Sequence, residues 1–132
     1  MSISKVKEKG KTKTIILVLV SVLIISTAQV LMKNGMNMIT LDGLSSLLNL
    51  YNLIKIISNP YVLGGLIMYS LALVLWLGAM SRADVSFIYP LLSTGYILTT
   101  IFAIVFLSEQ VSLFRWIGIG FIFAGTFFIG KS

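Results

Sequence analysis

The chain has four acidic residues, Glu8, Asp42, Asp84 and Glu109, and no two form a tight pair in sequence. General acid–base catalysis and metal-assisted hydrolysis therefore have almost nothing to work with. Cys and His are absent, which removes disulfides, thiolate nucleophiles, imidazole bases and the usual zinc sites. The expectation is a protein that is not an enzyme, with no catalytic residue, no metal and no cofactor. The remaining polar groups of interest lie inside apolar stretches, where each is costly unless it finds a partner. Gln29 is the largest uncharged polar side chain in any such stretch, and Lys33 follows four residues later on the same helical face. Two readings of this pair stay open: an interhelical hydrogen bond beside a snorkelling lysine, or a polar lining near one end of a substrate path. Tyr89-Pro90 is followed by Ser93, Thr94, Thr99 and Thr100. Proline removes a helical hydrogen bond and kinks the helix, and nearby hydroxyls can repair the kink or form a polar wall. The favoured reading is a hinge at Pro90 beside a substrate-facing surface.

These residues sit in segments that lipid must contain. The composition is 58% apolar, and ten basic and four acidic residues are the only charges among 132. A soluble domain carries about a quarter charged residues, so the balance points to a membrane protein. Four apolar runs, at about 14–33, 61–80, 86–107 and 113–130, carry no charge in their central turns. Roughly 20 residues at about 1.5 Å each cross a hydrocarbon core about 30 Å thick. A backbone in lipid must satisfy its own hydrogen bonds, so the runs are helices. The fold class expected is an all-α membrane protein with four transmembrane helices, occupying residues 14–132 behind a basic cytoplasmic tail at 1–13.

The tail holds Lys5, Lys7, Lys9, Lys11 and Lys13 and is expected to be disordered. It lies directly before a span, so its partner is an anionic lipid surface rather than nucleic acid. In the first loop, Ser45, Asn49, Asn52 and Lys55 recur on one side of a helical repeat. Leu44, Leu47, Leu48, Tyr51 and Ile54 fill the other. That pattern predicts an amphipathic helix over Leu44 to Ile57, too short to span, lying in the interface as an anchor. The alternative is a gate or rim for a lipid-like substrate. The short links 81–85 and 108–112 force antiparallel neighbours. With the N-terminus cytoplasmic, the inside holds the five tail lysines, Arg82 and Lys131, and the outside holds Lys33, Lys55 and Arg115. The positive-inside rule puts both termini in the cytoplasm. Without the tail the count is two against three, so the tail sets the topology. Ser26-Thr27-Ala28 resembles a signal-peptide cleavage site, but apolar character resumes at Val30, and an uncleaved span is expected.

Gly118, Gly120, Ala124 and Gly125 in the last run are small residues that let helix backbones approach closely. They are the expected dimer interface. Trp76 and Trp116 suit either interfacial anchors or pocket walls. Glu109 is a loop charge at a span end, and it could also cap the last helix, where a carboxylate suits the helix dipole.

Several short stretches together resemble a known superfamily: Leu75-Trp76-Leu77, Ala83-Asp84-Val85, Tyr89-Pro90-Leu91-Leu92-Ser93, Ser108-Glu109-Gln110-Val111-Ser112 and Trp116-Ile117-Gly118-Ile119-Gly120 with Ala124-Gly125. The pattern is similar to the drug/metabolite transporter superfamily and its small four-helix members. These are the EamA-like proteins, the flippase subunits for undecaprenyl-phosphate-linked aminoarabinose and, less closely, the small multidrug resistance exporters. Ala28-Gln29 with Lys33 also looks like the flippase subunits. The small multidrug exporters carry a glutamate in mid-first helix; its place here falls at Ile25. Their pocket aromatic after the Tyr89-like tyrosine is replaced by Leu92. These departures favour the flippase relatives, and no strong proton coupling is expected.

The resemblance implies a multi-pass protein of a prokaryotic cell (inner) membrane that moves an amphipathic substrate, such as a lipid-linked sugar, across or between leaflets. A small-metabolite or drug exporter is one alternative, and a non-transporting accessory membrane subunit is the other. The expected partners are the bilayer, that lipid-like or small amphipathic substrate, and a second copy or a similar four-helix chain, with no nucleic acid. The expected substrate-binding residues are Gln29, Lys33, Trp76, Tyr89, Ser93 and Glu109.

Overall fold

A computed structural model describes the backbone from Ile3 to Ser132 and the side chains from Gly10 onward. The chain forms six α-helices, α1 (Ile3–Asn37), α2 (Leu50–Ser58), α3 (Pro60–Met80), α4 (Val85–Leu92), α5 (Thr94–Leu107) and α6 (Leu113–Lys131), with a 3-10 turn at Leu44–Leu48. Among the described residues four helical stretches are long and apolar enough to cross a membrane: Gly10–Asn37, Pro60–Met80, Val85–Leu107 and Leu113–Lys131. The all-α, four-span expectation therefore holds.

Three local expectations change. The basic segment is not a disordered tail where the backbone is described, because α1 runs back to Ile3 and carries Lys5 to Lys13 in its first turns. Lys and Glu are good helix formers, and a span already nucleated extends at one hydrogen bond per added residue. Met1 and Ser2 lie outside the described residues. The first-loop helix is broken at Asn49. Its side chain accepts the Tyr51 amide at 3.0 Å and caps α2, while Asn52 donates to the Ser46 carbonyl at 2.8 Å. These side chains offer the backbone alternatives to a continuous helix. What remains is amphipathic, with Leu50, Tyr51, Ile54 and Ile57 exposed on one side. The third span is split into α4 and α5 at Ser93, whose amide donates to the Pro90 carbonyl at 3.1 Å. Pro90 has no amide hydrogen to return to the preceding turn, and the helix ends within a turn of it.

Caps fix the other ends. Asn59 accepts from the Tyr61 and Val62 amides at 3.0 and 3.3 Å ahead of Pro60 at the first helical position, an arrangement suited to a helix start. Ser108 adopts a left-handed conformation (φ 54°) that turns the chain out of α5. Ser112, not Glu109, caps α6, accepting the Arg115 amide at 3.4 Å. The Glu109 amide is held back by the Ala103 carbonyl at 3.2 Å.

The main interface joins α1 and α3, and α5 packs on the other side of α1. All three glycines of α3, Gly64, Gly65 and Gly78, face α1, and at Gly65 a side chain would collide with Met32 and stand 2.9 Å from the Ala28 carbonyl oxygen. Gly35 meets Val62 and Asn59 equally closely from the other side. At Gly95 a Cβ would lie 3.1 Å from Val22, which brings α5 onto α1. The core is small: Val18, Val22, Trp76, Ala79, Ile88 and Leu91 are buried together.

Candidate functional site

Beyond this core, α1, α3, α4 and α5 diverge around an open crevice of about 690 Å³. One face of α1 supplies Val22, Ile25, Ser26 and Gln29, positions that recur every three or four residues. From α3 come Tyr69, Leu73 and Trp76, again on one face; from the split third span come Tyr89, Ser93, Tyr96 and Thr99. The end of the bundle that holds Lys11, Arg82 and Ser132 has a separate cleft, lined also by Thr14 and Phe87. Along α1 the order is Lys11 and Thr14 at the cleft, buried Val18 in the core, then Val22 to Gln29 at the crevice. The packed cluster of Val18, Ala79 and Ile88 thus separates the two cavities.

Four of the six expected substrate-binding residues line the crevice: Gln29, Trp76, Tyr89 and Ser93. Gln29 is exposed at its wall and its amide oxygen accepts the Thr99 hydroxyl at 3.4 Å, linking α1 to α5. Trp76 is 8% exposed and forms a wall, with its ring 5.6 Å from that of Tyr89 at an interplanar angle of 78°. That edge-on geometry is favourable for aromatic pairs and holds Tyr89 at the crevice. Trp116 instead stands 41% exposed on α6.

Ser93 is also part of a knot. Its hydroxyl meets the Pro90 carbonyl and the Thr126 hydroxyl, and Thr126 reaches the same carbonyl at 3.1 Å and that of Ile122 at 2.9 Å. The break after Pro90 is thereby tied to α6, and Thr126 is the one residue of α6 classed as buried. Of the other hydroxyls after Pro90, Thr99 lines the crevice. Thr94 donates across the break to the Leu91 carbonyl of α4, 2.7 Å, and Thr100 to the Tyr96 carbonyl of its own helix, 2.6 Å.

The remaining two expected residues stand elsewhere. Lys33 is exposed and lines none of the cavities described here, because the polar face of α1 leaves the crevice at Gln29. Glu109 lines a neighbouring groove of about 350 Å³ between α5 and α6, together with Arg115, Gly118 and Ile122. This groove shares Tyr96 and Thr99 with the crevice.

The four small residues expected at a dimer interface do not form one stripe. Gly118 faces the α5 groove, whereas Gly120 lies about 200° away around a helix of 3.6 residues per turn. Gly120, Ala124 and Gly125 are exposed, and a Cβ at Gly118, Gly120 or Gly125 would meet open space.

Tyr69, Tyr96 and Ser26 also line the crevice, beyond the residues expected from the sequence. Tyr69 precedes Trp76 by seven positions and Tyr96 follows Tyr89 by seven, a same-face spacing legible in the sequence. Ser26 lies three before Gln29; it is buried and its hydroxyl reaches the Gly95 carbonyl at 3.4 Å.

Residues 12–131 match the model of the EamA-like transporter family. The chain is 28% identical over 72 residues to a probable 4-amino-4-deoxy-L-arabinose-phosphoundecaprenol flippase subunit ArnE of Aeromonas hydrophila, covering 54% of this chain and 63% of that protein. It is 37% identical over 62 residues to a probable subunit of the same description from Escherichia coli, covering 47% of this chain and 56% of that one. The chain thus spans less than two thirds of the length of these relatives. No solved structure matches it.

Proposed function

Because the chain belongs to the EamA-like transporter family, we propose that it moves a lipid-linked sugar between the leaflets of a bacterial inner membrane. The observation that carries this reading is the convergence of Gln29, Trp76, Tyr89, Ser93 and Thr99 on one crevice within the spans. A headgroup in the crevice exchanges water for amide, hydroxyl and phenol partners, while its lipid tail stays among the apolar helix faces. The packed cluster of Val18, Ala79 and Ile88 closes one end, so passage requires the helices to rearrange around the site, as alternating access demands. The split at Ser93, one turn after Pro90, is the place for that movement. Among the described residues no carboxylate lines the crevice to exchange protons, so transport is not strongly proton-coupled; steep pH-gradient dependence abolished by changing Glu109 would contradict this.

Both termini are assigned to the cytoplasmic side, following the basic residues at the N-terminus, Arg82 and Lys131. One copy supplies only part of a wall, and the exposed faces of α6 leave room for a second copy or a similar four-helix chain. The test is flipping of a fluorescent polyprenyl-phosphate sugar in vesicles containing the purified protein, with Gln29→Ala and Tyr89→Ala beside the unchanged chain. Both variants are expected to slow flipping at least several-fold, and unchanged rates in both would remove the crevice from the pathway.

A further inference from the structure

The cleft at the end of the bundle that holds Lys11 and Arg82 differs in chemistry from the crevice. It is the larger of the two, about 830 Å³ against about 690 Å³. Lys11 lines it from the first turn of the span Gly10–Asn37, and Arg82 lines it just past the end of the span Pro60–Met80. Both cations therefore stand where a span leaves the hydrocarbon, at the level of lipid headgroups. The Lys11 ammonium lies 5.0 Å from the centre of the Phe87 ring, a cation–π contact that holds it at the cleft without neutralising its charge. Arg82 is exposed, and a guanidinium presents two parallel N–H groups that match phosphate oxygens. Asp84 is the third charged side chain among the described lining residues, so the lining carries two cations and one carboxylate. The excess is a single positive charge, which one phosphodiester neutralises.

From this we propose that the cleft is a loading site, in which Lys11 and Arg82 hold the phosphodiester of the lipid-linked sugar at the membrane face. A phosphate fills a small part of the volume, and the rest takes the sugar, with the exposed Ser86 on the same wall. The packed cluster of Val18, Ala79 and Ile88 lies between this cleft and the crevice, so a headgroup held here waits at the barrier that it has to pass. The inference rests on the flippase reading and adds to it the recognition of the phosphate.

The experiment uses the purified full chain in phosphatidylcholine vesicles with a fluorescent polyprenyl-phosphate sugar, and reads both binding and the initial rate of flipping against the density of that lipid. Lys11→Gln combined with Arg82→Gln, in protein that elutes as the unchanged chain does, is expected to raise the half-maximal density about tenfold, as loss of a charge-assisted hydrogen bond does. The rate at saturation is expected to stay within about twofold, because the cleft acts before the rearrangement. Lys11→Arg with Arg82→Lys keeps both charges and should recover most of the loss. Lys13→Gln with Lys131→Gln removes the same charge outside the cleft lining and is expected to move the half-maximal density less than about twofold. An equal shift in both Gln pairs would mean that surface charge alone attracts the lipid, and no shift in the cleft pair would mean that the phosphate is held elsewhere. Either overturns the loading site and leaves the flippase reading standing. Cleft-dependent binding without flipping supports the phosphate site and removes the flippase reading. Displacement of the probe by phosphatidylglycerol as readily as by unlabelled substrate lipid assigns the cleft to bulk lipid, and displacement by equimolar inorganic phosphate assigns it to a soluble ligand; both overturn the loading role.

Discussion

A methyl group added at Gly65 tests whether close approach of α1 and α3 sets the geometry of the crevice. The new carbon would overlap Met32 Cγ and stand 2.9 Å from the Ala28 carbonyl oxygen and 3.3 Å from the Met32 amide nitrogen. Met32 can rotate its side chain away. The other two atoms belong to the α1 backbone and can yield only if the helices separate. Overpacking of this kind costs about 1–3 kcal/mol, and Ala in place of Gly returns about 1 kcal/mol of helix propensity. Because rigid backbone is involved, the cost falls in the upper part of its range, and Gly65→Ala is expected to lose about 1–2 kcal/mol net. Gly64 provides the control. A Cβ there meets only Leu31 Cδ2 at 3.5 Å, an ordinary contact, so Gly64→Ala should hold or gain up to about 1 kcal/mol. The assay is SDS titration of the protein in mild detergent, followed by tryptophan fluorescence, which Trp76 reports from inside the core. The two neighbouring substitutions are expected to move the midpoint in opposite directions, or one down and one not at all. A Gly65→Ala midpoint at or above that of the unchanged chain would refute the argument that backbone contact at this residue holds α1 against α3.

Three further outcomes follow from the same geometry. Thr126→Val removes the hydroxyl that ties α6 to Pro90 and Ser93 and should lose about 1 kcal/mol in the same titration, typical of interhelical hydrogen bonds in membranes; no loss would mean that α6 is held by other contacts. Asn59→Ala removes the acceptor for two α3 amides and should cost about 1 kcal/mol, while Asn59→Asp keeps the acceptor and should cost less; equal losses would count against a capping role. Changing Lys5, Lys7, Lys9, Lys11 and Lys13 to Ala leaves Arg82 and Lys131 against Lys33, Lys55 and Arg115, so a C-terminal reporter active only in the cytoplasm should show mixed orientation. A uniform, unchanged orientation would mean that the lysines do not set the topology.

The four spans were legible because lipid imposes one rule on every residue of a span, so hydropathy and length alone identify the helices. The family was legible from short motifs distributed over the chain. The breaks were harder to read. Pro90 announced a kink, but its location at Ser93 depends on which amide takes over the Pro90 carbonyl. Asn49 lay on the polar side of a regular pattern, and only its local hydrogen bond to Tyr51 shows that it interrupts the helix. Lys33 shares the sequence spacing of Gln29 but not its surroundings, because a face four residues long on α1 outruns the crevice. Glu109 was visible as a loop charge, but that it lines one α5–α6 groove with Arg115 was not, since the chain between them leaves α5 through the left-handed turn at Ser108.

Thr126 shows why the site could not be read one span at a time. In sequence it is a single hydroxyl in a run of Phe, Ile and Gly and carries no spacing signal. In the fold it donates directly to the carbonyl at which the third span breaks and also meets the hydroxyl of Ser93, which lines the crevice. The break and α6 are therefore mechanically joined. Movement of α4 against α5 must either carry α6 with it or exchange the partners of the Pro90 carbonyl. Among the described residues α6 packs lightly on α4 and α5 and is otherwise largely exposed, so a partner docked on its exposed faces would act on the crevice chiefly through this hydrogen-bonded knot.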